Sequence, residues 1–423
     1  MSELTSAVCG IFIAFVPLAA AGLALINAGL SRSRNAAQAM TAALCVFGIA
    51  ALTCFVLGFG IQSHPSLPSA TIWIGGKAWR FAGQGPFFFR GLQFDGSAVP
   101  LAAWLQLSTA GLAALIPLGA GLGRWRLGSI CASTVLFSAV VYPVFAHWVW
   151  GGGWLAQLGG NYGLGRGFVD TGGSSVIQCA GGFTALAVTW LLGPRRGKFG
   201  ADGMPAAIPG HNVLVVLFGC VLATVGWVSL NEAGGILFGG AALASVPLIA
   251  INTLLAAGSA LLSAAAVTRF RFGKPDASLS ANGCIAGLAA SSASCLFIRP
   301  AEAVIVGLVA GALVIYSIEL LELRLGVDDP GGSVSVHGVG GLWGILAMGL
   351  FGKDQGQLVA QVVGTATVLG FVFPLAYGLN WLLNRVSPFR TDSEGEWQGL
   401  DLHELGAGAY PEFVSQGEEF MPR

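Results

Sequence analysis

Charged residues are scarce in this chain. Only 9% of its 423 residues are Asp, Glu, Lys or Arg, against roughly 25% in an average soluble protein. A surface that faces water on every side cannot be built from so few charges. With 55% hydrophobic residues and a mean hydropathy of +0.75, the composition predicts a polytopic membrane protein.

Other absences exclude further classes. Basic and acidic residues are equal at 20 each, so no net charge favours nucleic acid as a partner. The eight cysteines lie in apolar runs without a metal-ligand spacing such as CxxC, and we expect buried thiols and no metal. The sequence shows no catalytic Ser/His/Asp set and no phosphate-binding loop, so we expect a protein that is not an enzyme and binds no cofactor. The first ten residues carry no Lys or Arg, so we expect the first apolar run to remain as a span.

Long apolar runs are abundant. A transmembrane helix needs about 20 mostly apolar residues, and the sequence offers eleven candidates, which predicts an all-α membrane protein. The span at 282–298 is short and rich in serine. The candidates lie near 6–30, 38–61, 98–122, 128–150, 170–193, 212–230, 237–267, 282–298, 300–323, 331–351 and 356–384.

Basic residues predict the orientation, because cytoplasmic loops carry an excess of Lys and Arg. With the N-terminus outside, 14 of the 20 basic residues fall on the inner side, Arg423 among them. The outer six are Lys77, Arg80, Arg90, Arg166, Arg299 and Lys353. Eleven spans then place the C-terminus in the cytoplasm, and we expect a membrane domain over 1–384 and a cytoplasmic tail over 385–423. The long outer segment at 62–97 is aromatic and is expected to lie at the lipid interface.

An internal repeat indicates where a pathway lies. DTGGSSVIQCAGG begins at Asp170 and DPGGSVSVHGVGG begins at Asp329, with an Asp eight residues before Gln178 and before His337. Transporters often consist of inverted halves with the substrate site at their interface. Eight residues of helix descend about 12 Å, so Gln178 and His337 are expected to meet near the midplane from opposite faces.

Each of these residues has an ordinary structural interpretation as well. Asp170 and Asp329 fit helix N-caps, which bond free backbone N–H groups, and direct cation binding is the alternative. His337 fits either a core histidine satisfied by a neighbour or a residue of a pathway. Polar side chains deep in a span usually face a cavity, which favours the pathway.

The motifs resemble those of the ammonium transporter family (Amt/Mep/Rh) over essentially the whole chain. The stretches that carry the resemblance are GLALINAGLSRSRN at 22–35, QLSTAGLAALIPLGA at 106–120, VWGGGWL at 149–155, DTGGSSVIQCAGG at 170–182, GWVSLNEAGG at 226–235 and GVDDPGGSVSVHGVGGLWG at 326–344. The resemblance implies the ammonium-transporter fold, an inverted five-helix repeat plus one helix. It also implies a homotrimer in the cell membrane, each protomer with its own pore.

Carried over residue by residue, the family pore is only partly preserved. His337 falls on the second pore histidine, while Gln178 takes the place of the first. Asp170 and Trp150 match the outer Asp and the vestibule Trp. The remaining vestibule and pore positions are replaced: Thr109 and Leu230 stand at the two gate phenylalanines, Gly234 at the vestibule serine, and Ile26 and Asn27 at two aromatics of the first helix.

These departures predict altered transport. Trp150 can still hold ammonium by cation–π attraction, but we expect a weaker and wider vestibule, open or plugged by other side chains such as Trp104 or Phe59. Glutamine does not titrate, so Gln178 can orient His337 but cannot relay a proton. Burial in an apolar pore disfavours the imidazolium, and His337 is expected to be neutral.

The C-terminal segment also departs from the family. GLDLHELGAGAY keeps Gly399, Leu400 and Asp401, but Leu405 and Ala407 replace the family's His and Glu. The resemblance implies a PII-type regulator at the tail, and these two replacements put that coupling in doubt. We expect a channel or transporter that moves ammonium nitrogen as NH3 with reduced current. The alternatives are a channel for another small neutral or amine solute and a non-conducting ammonium receptor.

Overall fold

Helices dominate the fold. The computed structural model of the protein describes residues 1–411. Within these residues ten helices are long and apolar enough to cross a membrane. They are α1 (Glu3–Leu30), α2 (Ser33–Gln62), α3 (Ala98–Gly121), α4 (Leu127–Val149), α5 (Ser174–Leu192), α6 (Val213–Leu237), α7 (Leu243–Phe272), α9 (Pro300–Leu325), α10 (Val334–Phe351) and α11 (Gln357–Val386); the helix α8 (Ala277–Ser294) lies between α7 and α9.

Helix α8 corresponds to the weakest predicted span, 282–298, and is shifted toward the N-terminus. It begins at Asp276, whose carboxylate accepts a hydrogen bond from the Leu279 backbone N–H at 2.8 Å. Every residue from 280 to 294 is buried. Because protein rather than lipid surrounds the helix, the hydroxyls of Ser280, Ser291 and Ser292 donate to nearby backbone oxygens, and the helix does not need the hydropathy of a lipid-facing span.

Glycines bring the helices close together. A Cβ added to Gly219 of α6 would lie 2.6 Å from the Gly22 backbone oxygen of α1. Such small-residue contacts are typical of helix packing in lipid, where the attraction depends on close van der Waals contact. The pairing holds α1 against α6, the helix that carries several of the candidate site residues.

A β-hairpin covers one side of the bundle, which we call the hairpin side. Strands β1 (Ser69–Ile74) and β2 (Lys77–Gly83) pair in antiparallel register with Ile72 opposite Trp79. The turn residues Gly75 and Gly76 have φ of 58° and 76°, the positive values that a two-residue hairpin turn requires. The outer segment predicted to be aromatic and interfacial is thus a folded hairpin with its neighbouring loop.

The C-terminal segment (387–411) packs on the opposite side, which we call the tail side. Asp401 accepts hydrogen bonds from the backbone N–H groups of Ala37 and Gln38 at 3.1 and 2.7 Å, and so caps the start of α2. Glu404 accepts from the Leu127 N–H at 3.0 Å. These carboxylates hold the segment in place although Leu405 and Ala407 stand at the two replaced positions, and the doubtful coupling to a PII-type regulator stays a prediction. Arg423 lies outside the described residues.

Candidate pore

The first turns of α5 and α10 carry the two predicted pore residues. Both turns are wide π-helical turns, Ser174–Cys179 and Val334–Val339, a feature that is frequent at functional sites. Helix α5 starts on the hairpin side and α10 on the tail side, and the first turn of each packs against the following turns of the other. A Cβ on Gly182 would lie 2.5 Å from the Gly338 Cα, so glycine at 182 permits this contact.

Gln178 and His337 are hydrogen bonded where the two turns meet. The Gln178 Oε1 and the His337 Nδ1 are 2.7 Å apart, and the residues are 0% and 4% exposed. With Oε1 as acceptor, Nδ1 carries the imidazole proton and Nε2 keeps its lone pair. The Gln178 amide nitrogen has no hydrogen-bond partner among residues 1–411. The pair therefore presents a free amide NH2 group as donor and one free imidazole nitrogen as acceptor, both neutral.

Tryptophan fixes the imidazole from one side. The Trp227 ring stacks on His337 with a centroid distance of 6.3 Å and an interplanar angle of 18°. The Trp227 Nε1 donates to the Ser292 hydroxyl at 3.0 Å. The histidine is therefore held both by its hydrogen bond to Gln178 and by an anchored aromatic face.

Asp170 caps the start of α5 with both carboxylate oxygens. Oδ1 accepts from the N–H groups of Gly173 and Ser174 at 2.9 and 2.7 Å. Oδ2 accepts from the N–H groups of Ser175 and Val176 at 2.7 and 3.1 Å and from the Ser175 hydroxyl at 2.5 Å. Five hydrogen bonds occupy the carboxylate, and this geometry favours capping over direct cation binding.

The equivalent Asp329 is bonded less completely. Its Oδ2 accepts from the Val334 N–H at 2.7 Å, while its buried Oδ1 has no partner among the described residues. The preceding Asp328 forms a bidentate pair with Arg195, at 2.8 and 2.9 Å. Burial alone would raise the pKa of the Asp328 carboxyl, but hydrogen bonds from Arg195 and the charge of Arg124 outweigh it and hold that pKa below its usual range.

Aromatic stacking covers the predicted vestibule tryptophan. Trp150 donates from Nε1 to the Asp170 backbone oxygen at 2.6 Å, and Phe238 stacks on its indole at a centroid distance of 4.5 Å and an angle of 6°. Trp150 is only 5% exposed. Phe238 thus occupies a ring face on which a cation could otherwise sit.

The replaced vestibule residues are buried among neighbouring groups. Thr109 and Leu230 are both 0% exposed, and the Thr109 hydroxyl lies 2.8 Å from the Tyr142 hydroxyl. A Cβ on Gly234 would lie 2.3 Å from the Thr171 backbone oxygen, so a serine does not fit there without a shift. The weaker and wider vestibule expected from these residues stays a prediction.

The two side chains named as possible plugs, Trp104 and Phe59, differ in burial. Trp104 is 42% exposed and its ring faces Gly10 of α1. Phe59 is buried and its ring contacts Phe89, with centroids 5.6 Å apart. No local pattern indicates Phe238 or Tyr142, because each becomes relevant only through a contact with a distant segment.

Comparison with known proteins decides the family. The Ammonium Transporter Family pattern matches residues 7–410. The chain belongs to this family. It is 35% identical to the ammonium transporter Amt2 of Archaeoglobus fulgidus, over 96% of this chain and 87% of that protein. It is 29% identical to the ammonium transporter of Bacillus subtilis, over 92% and 94%.

Solved structures agree with this fold. A protein described as a sensor Amt protein superposes with a TM-score of 0.85 at 28% identity, covering 95% of this chain and 98% of that one. Mep2 of Candida albicans gives a TM-score of 0.81 at 24% identity, over 100% and 93%, and shows the fold alone. The chain is thus an integral membrane protein of a transporter family, and ammonium is the substrate that the family supports.

Proposed function

We propose that this member of the ammonium transporter family conducts ammonium nitrogen as neutral NH3, with little or no accompanying current. The observation that carries the proposal is the buried 2.7 Å hydrogen bond between Gln178 and His337. It stands where the family resemblance puts two facing histidines.

The chemistry of the pair supports a neutral solute. The free Gln178 amide N–H donates and therefore suits a lone pair, which NH3 has and the ammonium ion lacks. The His337 Nδ1 proton is already committed to Gln178, so the remaining Nε2 accepts. NH3 offers both a lone pair and N–H donors, whereas ammonium offers only donors and a charge that burial penalises.

Proton relay is not available to this pair. A relay needs two groups that take and give protons in turn, and an amide does not titrate in this pH range. A proton that leaves ammonium on the hairpin side finds no acceptor chain through Gln178. Transport is therefore expected to be electroneutral.

The oligomeric state and the orientation in the membrane are proposed from the family resemblance. We propose a homotrimer in the cell membrane, with the hairpin side outside and the C-terminal segment in the cytoplasm. Under this arrangement Trp150, Phe238, Thr109, Leu230, Gly234 and the cap Asp170 belong to the outer entrance, and Asp329 to the inner side. The docked C-terminal segment is the surface that a PII-type regulator would contact.

The test is transport in proteoliposomes. Ammonium gradients should produce an internal pH change in the purified protein with no matching current on a supported membrane. Gln178→His restores a titratable partner and is expected to raise the current, and Gln178→Glu should act in the same direction. Gln178→Leu removes the free amide donor and should lower NH3 flux. A strong saturable current in the unmodified protein that Gln178→His does not increase would contradict the proposal.

A receptor function is the second candidate. The likeness to a sensor Amt protein and the burial of Trp150 under Phe238 favour it. If neither the unmodified protein nor Gln178→His conducts, while ammonium still raises the thermal stability of the protein, the receptor interpretation is supported. Transport of methylamine or another small neutral solute in place of ammonia would support the remaining alternative.

A further inference from the structure

A pocket lies on the tail side where four segments meet, which we call the arginine pocket. Its walls include Arg32 and Asn35 between α1 and the start of α2, Gly123 after α3, Arg195 after α5 and Glu396 of the C-terminal segment. Its volume of about 270 Å³, part of it continuous with solvent, lies just below the usual range for small-molecule sites. The arginine pocket therefore suits a small ligand.

Positive charge around the arginine pocket exceeds negative charge. Four arginines share only two carboxylates. The pairs are Arg124 and Arg195 with Asp328, and Arg196 and Arg390 with Glu396. The carboxylate of Glu396 lines the pocket but is already neutralised by its two arginines, so it leaves the surroundings positive.

Two further arginines have no carboxylate partner among residues 1–411. The Arg34 Nε is buried without a hydrogen-bond partner in this range, and its Nη2 reaches only the Glu396 backbone oxygen at 3.4 Å. The Arg32 guanidinium forms no hydrogen bond within the described residues. Burial lowers the pKa of Arg32, and the charges of Arg34 and Arg195 lower it further against the opposing effect of Asp328 and Glu396. An anion beside Arg32 would relieve this repulsion.

Asn35 supplies a neutral donor at the same place. It is 4% exposed, and its Oδ1 accepts from the Leu400 backbone N–H at 2.8 Å. This bond orients the carboxamide and leaves Nδ2, which has no hydrogen-bond partner in the described part of the chain. A Cβ on Gly123 would lie 2.9 Å from this nitrogen. The groups with free capacity in the arginine pocket are therefore N–H donors, as an anion requires.

We propose that the arginine pocket binds one phosphate group through the guanidinium groups of Arg32 and Arg195 and the carboxamide of Asn35. The planar fork of arginine matches phosphate oxygens and bonds them in pairs. The phosphate group comes either from a free phosphate ion or from the headgroup of an acidic lipid. The inference goes beyond the proposed function and does not depend on it, because binding is measured without transport.

Thermal unfolding of the full chain in detergent tests the site and identifies the source of the phosphate group. Sodium phosphate is compared with sodium chloride of equal ionic strength, and micelles that contain phosphatidic acid are compared with micelles that contain phosphatidylcholine. We expect the thermal midpoint of the unmodified protein to rise in one of these two comparisons. A rise with sodium phosphate assigns the site to free phosphate, and a rise with phosphatidic acid alone assigns it to a lipid headgroup.

Removal of the unpaired charges tests the residues. In the double variant Arg32→Gln, Arg34→Gln, the ligand concentration that gives half of the rise should increase at least about tenfold, because charge-assisted hydrogen bonds are lost. The matched control is the double variant Arg271→Gln, Arg385→Gln. It removes the same charge from the last turns of α7 and α11, and neither residue lines the arginine pocket. The control should keep the affinity of the unmodified protein.

Two results would overturn the site. One is the absence of a rise with either ligand in the unmodified protein. The other is an equal rise, at equal ligand concentration, in the pocket variant and in the control variant. If the double pocket variant does not fold, the single variant Arg32→Gln should still show a several-fold loss of affinity, and unchanged affinity in that variant would also overturn the site.

Discussion

Replacement of Asp170 by asparagine distinguishes a helix cap from a cation ligand. Each carboxylate oxygen of Asp170 accepts from two backbone N–H groups of α5. Whichever oxygen becomes an NH2 group, two buried N–H donors lose their acceptor. At about 1–3 kcal/mol for each unsatisfied buried group, Asp170→Asn should cost about 2–6 kcal/mol of stability.

The repeat supplies the matched control. Asp329 accepts from the Val334 N–H through Oδ2 alone, and its Oδ1 has no partner among residues 1–411. In the Asp329→Asn variant the NH2 group can take the Oδ1 position, so the loss of folding stability should stay below about 1 kcal/mol. Thermal unfolding of both variants in detergent measures the difference. Equal losses, or an Asp170→Asn variant that keeps full stability but loses ammonium affinity, would refute the capping interpretation.

Three further outcomes are expected. Phe238→Ala uncovers a face of Trp150 and should raise ammonium uptake several-fold, since a cation–π contact at a desolvated site is worth up to about 2 kcal/mol; an unchanged or lower rate would mean that Phe238 does not limit entry. Asp401→Asn weakens two charge-assisted bonds to α2 and should make the C-terminal segment more sensitive to protease, whereas resistance equal to that of the unmodified protein would show that this cap does not hold the segment. The lowered pKa of Asp328 contributes stability that is complete above its pKa in the unfolded chain, about 3.9, and is lost as the pH falls through its pKa in the folded protein. The thermal midpoint should therefore drop on acidification below about pH 4. The Asp328→Asn variant should be less stable at neutral pH and should lack that part of the drop.

Hydropathy and the internal repeat were sufficient to predict much of the fold. Ten predicted spans correspond to helices long and apolar enough to cross a membrane, because burial in lipid depends on the local composition of each segment. The contact between Gln178 and His337 was also predictable, since two similar segments that enter from opposite faces bring equivalent side chains together. The roles assigned to these residues remain predictions.

Other features depend on contacts between distant segments and had no local signal. Phe238 covers Trp150 only because the end of α6 lies beside the end of α4. In the sequence, Asn282 is one polar residue of a weakly hydrophobic span. Only the structure shows that it lines the same small cavity as Asn27. The replaced residues Leu405 and Ala407 did not indicate how the C-terminal segment docks, because Asp401 and Glu404 provide the contacts that hold it.

The most direct test of electroneutral ammonia conduction is a paired recording of flux and current on one proteoliposome preparation, made with the unmodified protein and with Gln178→His. The structure predicts an ammonium-driven pH change without matching current for the unmodified protein, and a clear rise in current for Gln178→His. A large saturable current through the unmodified protein, unchanged by the histidine, would contradict the account.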